Sequence, residues 1–381
     1  MAAKKTKISR MDRLYLDEGG FDFISRSKTW YSITVGLLVV AIAAIAIRGF
    51  TLSLDFEGGT KVSLPAADLN EQAVSEVFQE STGVEPEQVQ IVGSGDTATL
   101  EVNSERLSEE QADAARLAIY EEFEPVNPSG EATPDAVGVS TVSESWGSTI
   151  TQRMVIAMIV FLVIATAYVA LRLQRTMAFA AIIALIADGI IIAGIYALFG
   201  LEVSPAVIIG LLTVLTFSIY DSVIVFDKVN ENTEGITGQR SRTYAEQTNL
   251  AINQTVMRSI STSVISALPI IALFVVAVWM MGIGTLRDLA LIQLIGVIEG
   301  IFSSIFLASP LVVTLANRSK KIKAHNKEVA EYRANAQYSD EDDQDADATG
   351  SKRQVVSPTT PASNLEGTQI SNTGSSWRPR R

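Results

Sequence analysis

Apolar positions in this chain gather into long unbroken runs instead of repeating at a helical or strand period. Six runs reach bilayer length, at about Trp30–Ile47, Met154–Leu171, Met177–Phe199, Pro205–Phe226, Ile260–Met281 and Leu289–Leu315. Each is near or above the ~18 residues that argue for a membrane-spanning helix. Arg48-Gly49-Phe50 follows the first run with no small-residue cleavage pattern, so that run reads as a retained span and not as a removed signal. Between the first two runs the pattern changes. Thr60–Leu64, Val89–Val92, Thr97–Val102 and Val137–Val142 alternate or run apolar over strand lengths. Asn70–Ser81 sets Val74, Val77 and Phe78 at helical spacing. Ser108–Phe123 opens with the capping-box pair Ser108 and Gln111 and repeats Ala112, Ala115, Leu117 and Ile119 toward one face. The order β-α-β-β-α-β is the split βαβ pattern of a ferredoxin-like domain, with a hairpin signal at Ser94-Gly95-Asp96.

The predicted fold is thus an α-helical bundle of six transmembrane helices with one α+β, ferredoxin-like domain after the first helix. Its expected parts are an N-terminal segment (1–29), the first span (30–48), the inserted domain and its linker (49–150), the remaining five spans (151–317) and a tail (318–381). Pro125–Pro134 reads as a hinge between the inserted domain and the second span. From Glu328 onward the chain is rich in Ser, Thr, Asp and Asn, carries Asp340-Glu341-Asp342-Asp343 and has no apolar period, which predicts disorder.

Charge orients the spans. Lys4, Lys5, Lys7, Arg10, Arg13, Arg26 and Lys28, then Arg172 and Arg175, then Lys228, Arg240 and Arg242, then Arg318, Lys320, Lys321, Lys323 and Lys327 all fall on one side of the expected membrane. That side is read as cytoplasmic, with both termini inside and residues 50–150 on the opposite side of the membrane. The net charge of −12 comes mostly from that outer segment and the acidic tail, so it says nothing of a nucleic-acid partner. Composition fits a membrane class: 48% hydrophobic, 19% charged, mean hydropathy +0.26. Cysteine is absent, the one histidine (His325) reads as solvated beside a basic stretch, and no phosphate-binding loop occurs. Nothing points to an enzyme, a cofactor or a metal site, so any work the chain does must draw its energy from elsewhere.

The fourth span carries a carboxylate. Asp221 lies in Ser218-Ile219-Tyr220-Asp221-Ser222-Val223-Ile224-Val225-Phe226-Asp227-Lys228. A charge at membrane depth costs about 2.5–3.5 kcal/mol on insertion scales, so it persists where it faces protein or a water path and has a partner. Arg258 in the fifth span, at a comparable depth, is the expected partner. Such a pair serves either an ion pathway or the fixing of helix register. Asp188, midway through the third span, and Glu299 in the sixth serve either a relay or a helix-to-helix hydrogen bond; Asp227 beside Lys228 fits an interfacial cap or a relay. Ser259, Thr262, Ser263 and Ser266 either hydrate a path beside Arg258 or let helices approach closely. Gly296, Gly300 and Ser304 form a small-xxx-small packing stripe.

Five pieces in this order resemble the SecF family, the smaller subunits of the bacterial SecD–SecF accessory complex of the Sec translocon. They are Asp55-Phe56-Glu57-Gly58-Gly59-Thr60, Ala187-Asp188, Ser218 to Asn232, Asn253 through Arg258 to Ser263, and Gly300-Ile301-Phe302-Ser303-Ser304. The resemblance covers about Phe21 to Leu311. Tyr220 stands where the family usually has Asn, Ala187 where it has His and Lys228 where many relatives have Arg, and Glu299 is not a family position. The resemblance implies a subunit paired with SecD in a pseudo-symmetric assembly related in design to resistance-nodulation-division transporters. It would work beside SecYEG and, indirectly, SecA on preproteins, coupling proton or sodium flow to late translocation. Asp221 would be the ion-binding carboxylate and Arg258 its counter-charge, with Asp188, Tyr220, Asp227, Thr262, Ser263 and Glu299 as relay or support, and the Asp55, Gly58, Gly59, Thr60 motif opening the outer domain. Partners are SecD, the translocon, preproteins and membrane lipids, not nucleic acid. A small-molecule efflux half-transporter and a non-conducting translocon scaffold are the competing readings.

Overall fold

The computed structural model describes residues 20–66, 69–93, 95, 98–127, 129–276 and 284–348. Among them, six helical segments are long and apolar enough to cross a membrane: Ser27–Arg48, Glu144–Arg172, Arg175–Phe199, Pro205–Gly238, Tyr244–Val276 and Leu286–Ala316. Their helices are α1 (Ser27–Arg48), α5 (Glu144–Arg172), α6 (Arg175–Phe199), α7 (Pro205–Thr233), α8 (Tyr244–Leu273) and α9 (Gly284–Phe302); α9 continues through a π-helical turn, Ser303–Ala308, into α10 (Ser309–Ala316). The fifth span begins earlier than the apolar run at Ile260 suggests. Thr243 caps it in a reciprocal box with Glu246, and the polar turns that follow bury Thr248, Asn253 and Thr255 against neighbours.

Burial ranks the spans. Half or more of the apolar window of the third and fourth is covered by the rest of the chain (56% and 50%), against 11% for the first and second. Small residues set the closest approaches. A side chain at Gly194 would run into Ala41, one at Gly210 into Ile292 and one at Gly296 into Val214, while Gly300 stands 3.5 Å from the Ser218 Cβ at its own Cβ position. The Gly296/Gly300 stripe is therefore the seam on which α9 meets α7, as van der Waals packing between spans requires.

The inserted domain holds β2 (Gly59–Pro65), α3 (Glu71–Thr82), β3 (Gln88–Val92), β4 (Thr99–Ser104), α4 (Glu109–Phe123) and β5 (Gly138–Val142). It is preceded by β1 (Thr51–Leu52) and a single helical turn, α2 (Leu54–Glu57). The sheet is antiparallel in the order β3-β4-β2-β5, with Val62 opposite both Val102 and Val139. Alternation puts Val62, Leu64, Leu100 and Val102 on one face, where Val74, Phe78, Ala115 and Ile119 cover them. Leu117 is exposed, because it lies on the side of α4 opposite Ala115 and Ile119. The capping box of Ser108 and Gln111 forms as the sequence suggests, and Asn70 also caps its helix, accepting from Gln72. The fourth strand begins two residues later than expected, after Ala98 has turned on Gly95. Ser94 and Asp96 of the expected hairpin lie outside the described residues.

Four expectations are corrected. The Pro125–Pro134 segment is no hinge: Asn127 accepts from Ser129 and Glu131, and Val126 bridges Ala132, so it is a closed loop inside the domain. The true junction is Ser143, the one residue between β5 and α5. Residues 328–348 belong to a helix, α11 (Lys320–Ala348), where disorder was expected. His325 is 3% exposed, with Nε2 3.1 Å from the Arg242 carbonyl, because α11 turns it inward. The fourth, the absence of an Asp221–Arg258 pair, belongs to the site below.

Two contacts between distant segments had no sequence signal. β1 pairs in parallel with β6 (Glu202–Val203), a two-residue strand between the third and fourth spans, with Thr51 opposite Glu202. Before the first span, Asn253 and Asn249 of α8 clamp the entering chain. Asn253 Oδ1 accepts from Gly20 and Phe21, Asn249 Oδ1 accepts from Phe23, and both side-chain amides donate to the Phe21 carbonyl.

Candidate functional site

Asp221 is set more than halfway along α7, on the face that carries Ser218, Ser222 and Val225 into the bundle, and it is 6% exposed. Its partner is Ser263 of α8, within hydrogen-bonding reach. No ion pair joins Asp221 to Arg258, and Arg258 is exposed on the outside of the bundle. Helical geometry gives the reason. At about 100° per residue, Arg258 stands about 140° around α8 from Ser263, so the turn that aims the serine at Asp221 aims the arginine away. Thr262 spends its hydroxyl on its own helix, at 3.0 Å from the Arg258 carbonyl. Ser259 is fully buried and its Oγ has no partner.

A cavity of about 390 Å³ opens beside Asp221, lined by Ser218, Tyr220, Thr262, Ser263, Ser266 and Gly300 among others. Tyr220, Phe217 and Ile265 on its rim are exposed, so it opens sideways through the bundle wall. Tyr220 therefore faces outward at the mouth of the cavity.

Behind Asp221 lies a second polar cluster. Asp188 of α6 is fully buried and accepts hydrogen bonds from Ser218 of α7 and Ser303 of the π turn. Glu299, one turn before Ser303, reaches the same carboxyl, and its Oε2 is buried without a donor. Two carboxylates side by side repel, so this contact calls for a proton or a cation between them. Ser218 bridges the clusters in sequence, three residues before Asp221, and lines the cavity. The π turn is what aims Ser303 at Asp188. Glu299 and Asp188 stand out in the sequence, but the turn that joins them does not, since π geometry leaves no periodic mark over six residues.

Asp227 is separate from both clusters. It pairs with Arg172 of α5 at 2.8 Å at the Lys/Arg-rich end of the spans, with both side chains about half exposed, and Gln174 hydrogen-bonds Asn230 next to it. Lys228 instead pairs with Glu231, at 2.8 Å. At the other end, Asp55 and Phe56 form the turn α2, and Gly58 and Gly59 follow at φ +83° and +138°. A Cβ on Gly58 would stand 2.9 Å from the Glu144 backbone nitrogen, and one on Gly147 would strike the Phe56 carbonyl, so the motif is where α5 docks on the start of the domain. The Thr60 hydroxyl accepts from the Leu107 backbone at 3.0 Å.

A sequence profile described as "Protein export membrane protein SecD/SecF, C-terminal" matches residues 125–318, and one described as "SecD/SecF GG Motif" matches residues 43–67. A Mycobacterium tuberculosis protein named protein translocase subunit SecF is 48% identical over 87% of this chain and 75% of its own length. The chain belongs to the SecF family. A Streptomyces coelicolor SecF is 35% identical over 84% of each chain. The crystal structure of SecDF, a translocon-associated membrane protein from Thermus thermophilus, superposes with a TM-score of 0.66 at 31% identity. That match covers 78% of this chain and 39% of the SecDF chain, so a SecF-like part there is one portion of a longer protein. SecF membership accounts for the Gly58-Gly59 motif, the six spans and the ferredoxin-like insert together. The chain is a multi-pass membrane subunit of the Sec protein-export machinery.

Proposed function

We propose that this subunit couples the passage of protons, or of sodium ions, to the late stage of preprotein export, with Asp221 as the carboxyl that takes up and releases the ion. The observation that carries this is Asp221 itself: a nearly buried acid far along an apolar span, held by one serine and open to a cavity, with no cation within ion-pair distance among the described residues. A carboxylate so placed is stable when it carries a proton or a sodium ion and costly when it does not. Each uptake therefore biases α7 against α8, and such a bias is what a two-state transporter needs.

Arg258 keeps a part in this reading. An exposed arginine in a span needs protein around it, and SecD, fused to a SecF-like part in the Thermus relative, is the partner whose spans would cover it and the open cavity mouth. The assembly would sit in the bacterial plasma membrane with the ferredoxin-like domain outside and both termini in the cytoplasm, acting on preproteins as they leave SecYEG. It would act as a coupling subunit and catalyse no covalent step itself. In vesicles holding this chain with its SecD, Asp221→Asn should abolish stimulation of export by an ion gradient and leave ATP-driven translocation running. Full stimulation in Asp221→Asn would defeat the proposal in favour of a scaffold role.

A further inference from the structure

The polar face of the outer sheet rests on the outer ends of the spans. Lys61 of β2, Gln90 of β3, Glu101 of β4 and Ser140 of β5 share that face, opposite the buried core. They look onto Glu202 of β6 and onto Arg287 and Asp288 at the start of the sixth span, around a cavity of about 260 Å³ that Ser53 and Asp55 also line. Gln90 is held from both sides. Its Nε2 donates to Glu202 at 3.4 Å, and its Oε1 accepts from both Arg287 terminal nitrogens at 3.3 Å.

Charge across this junction does not balance. Lys61 pairs with Glu101 at 3.2 Å and Arg287 with Asp288 at 3.3 Å, which consumes both cations. Asp55 and Glu202 are left without one. The Ser53 hydroxyl, 4% exposed on the same cavity wall, has no hydrogen-bond partner and is free to meet an added proton or the water that carries it. Room for several waters, at about 30 Å³ each, connects these groups.

We propose that this junction is a proton-binding site separate from Asp221, at which Glu202 takes a proton from the outer aqueous phase and thereby clasps the outer domain to the membrane bundle. The idea rests on the ion-coupling reading only for its purpose; the site stands on the junction's own geometry. Burial, then Asp288, push the Glu202 carboxyl above the usual carboxylate range; Lys61 and Arg287 oppose this and Glu101 adds to it. A carboxyl that binds its proton more tightly docked than undocked strengthens docking at low pH, and that strength is lost as pH rises through the docked value. An acidified outer face, as a proton gradient provides, would hold the domain down.

Because the chain has no cysteine, spin labels can be placed at Glu80→Cys on α3 and Leu198→Cys near the outer end of α6, both exposed. In the full chain in lipid nanodiscs, their distance distribution should be narrow at pH 5 and broaden to longer separations at pH 8. Glu202→Gln, which mimics the protonated acid, should stay narrow at both. Asp288→Asn frees Arg287 to neutralise Glu202 and should move the transition to lower pH. Asp221→Asn should leave the response intact. Identical wild-type distributions at both pH values, an unaltered response in Glu202→Gln, an unmoved transition in Asp288→Asn, or a response lost in Asp221→Asn would each overturn the proposal, and none of these results bears on gradient-stimulated export.

Discussion

Asp221 and Asp227 sit six positions apart on one helix, yet they occupy different worlds. The first is enclosed by protein and the second shares a half-exposed ion pair with Arg172. Exposed pairs contribute about 0–1 kcal/mol, so a double-mutant cycle on Arg172 and Asp227 should return a coupling in that range, and Asp227→Asn should keep gradient-driven export. Ser303 is different in kind. Removing its hydroxyl leaves a buried Asp188 oxygen without its donor, so Ser303→Ala should lower unfolding stability in detergent by about 1–3 kcal/mol. The fully buried Ser304, whose hydroxyl bonds only its own helix at the Ile301 carbonyl, serves as the control and should lose less. At this scale the sequence was half legible. A lone carboxylate in an apolar run is visible to anyone reading it, and so were Asp188 and Glu299. Its partner was not: pairing Asp221 with Arg258 used depth alone, whereas contact depends on the angle around the helix, and Ser263 has the right one.

Elements with a strong local signature formed where expected. The ferredoxin-like order follows from alternation, a capping box and helical spacing, all of which act within a dozen residues. Phe78, fully buried under the sheet, should cost about 3–5 kcal/mol of the ferredoxin-like domain's stability on change to Ala, read by proteolysis of the full chain. The seam between α7 and α9 should be as exacting. Gly296→Leu drives a side chain into Val214, and we expect loss of cooperative unfolding and of the cavity beside Asp221. What could not be read were contacts made by short or distant pieces. The β1–β6 pair involves two residues on each side, too few for any period, and the asparagine clamp links positions more than 200 apart in the chain. The start of α8 was missed for another reason: its first turns are polar because they meet the entering chain and the basic end of the bundle, so hydropathy alone placed the span too late.

For the molecule as a whole, the lysine and arginine distribution sets a side for each loop. With a single cysteine at Glu80, an impermeant thiol reagent should label intact spheroplasts; with one at Thr237, it should label only after lysis. Reversed labelling would place the ferredoxin-like domain in the cytoplasm and remove it from any preprotein leaving the channel. The link between that domain and the second span has a mechanical meaning. Ser143 alone separates β5 from α5, and it is pinned as the helix cap, accepting from Trp146 at 3.4 Å. One residue contributes two soft dihedrals. The ferredoxin-like domain is in effect bolted to the end of a 29-residue rod that is little gripped by the other spans, so tilting the domain swings the rod through the lipid, and rocking the rod tips the domain.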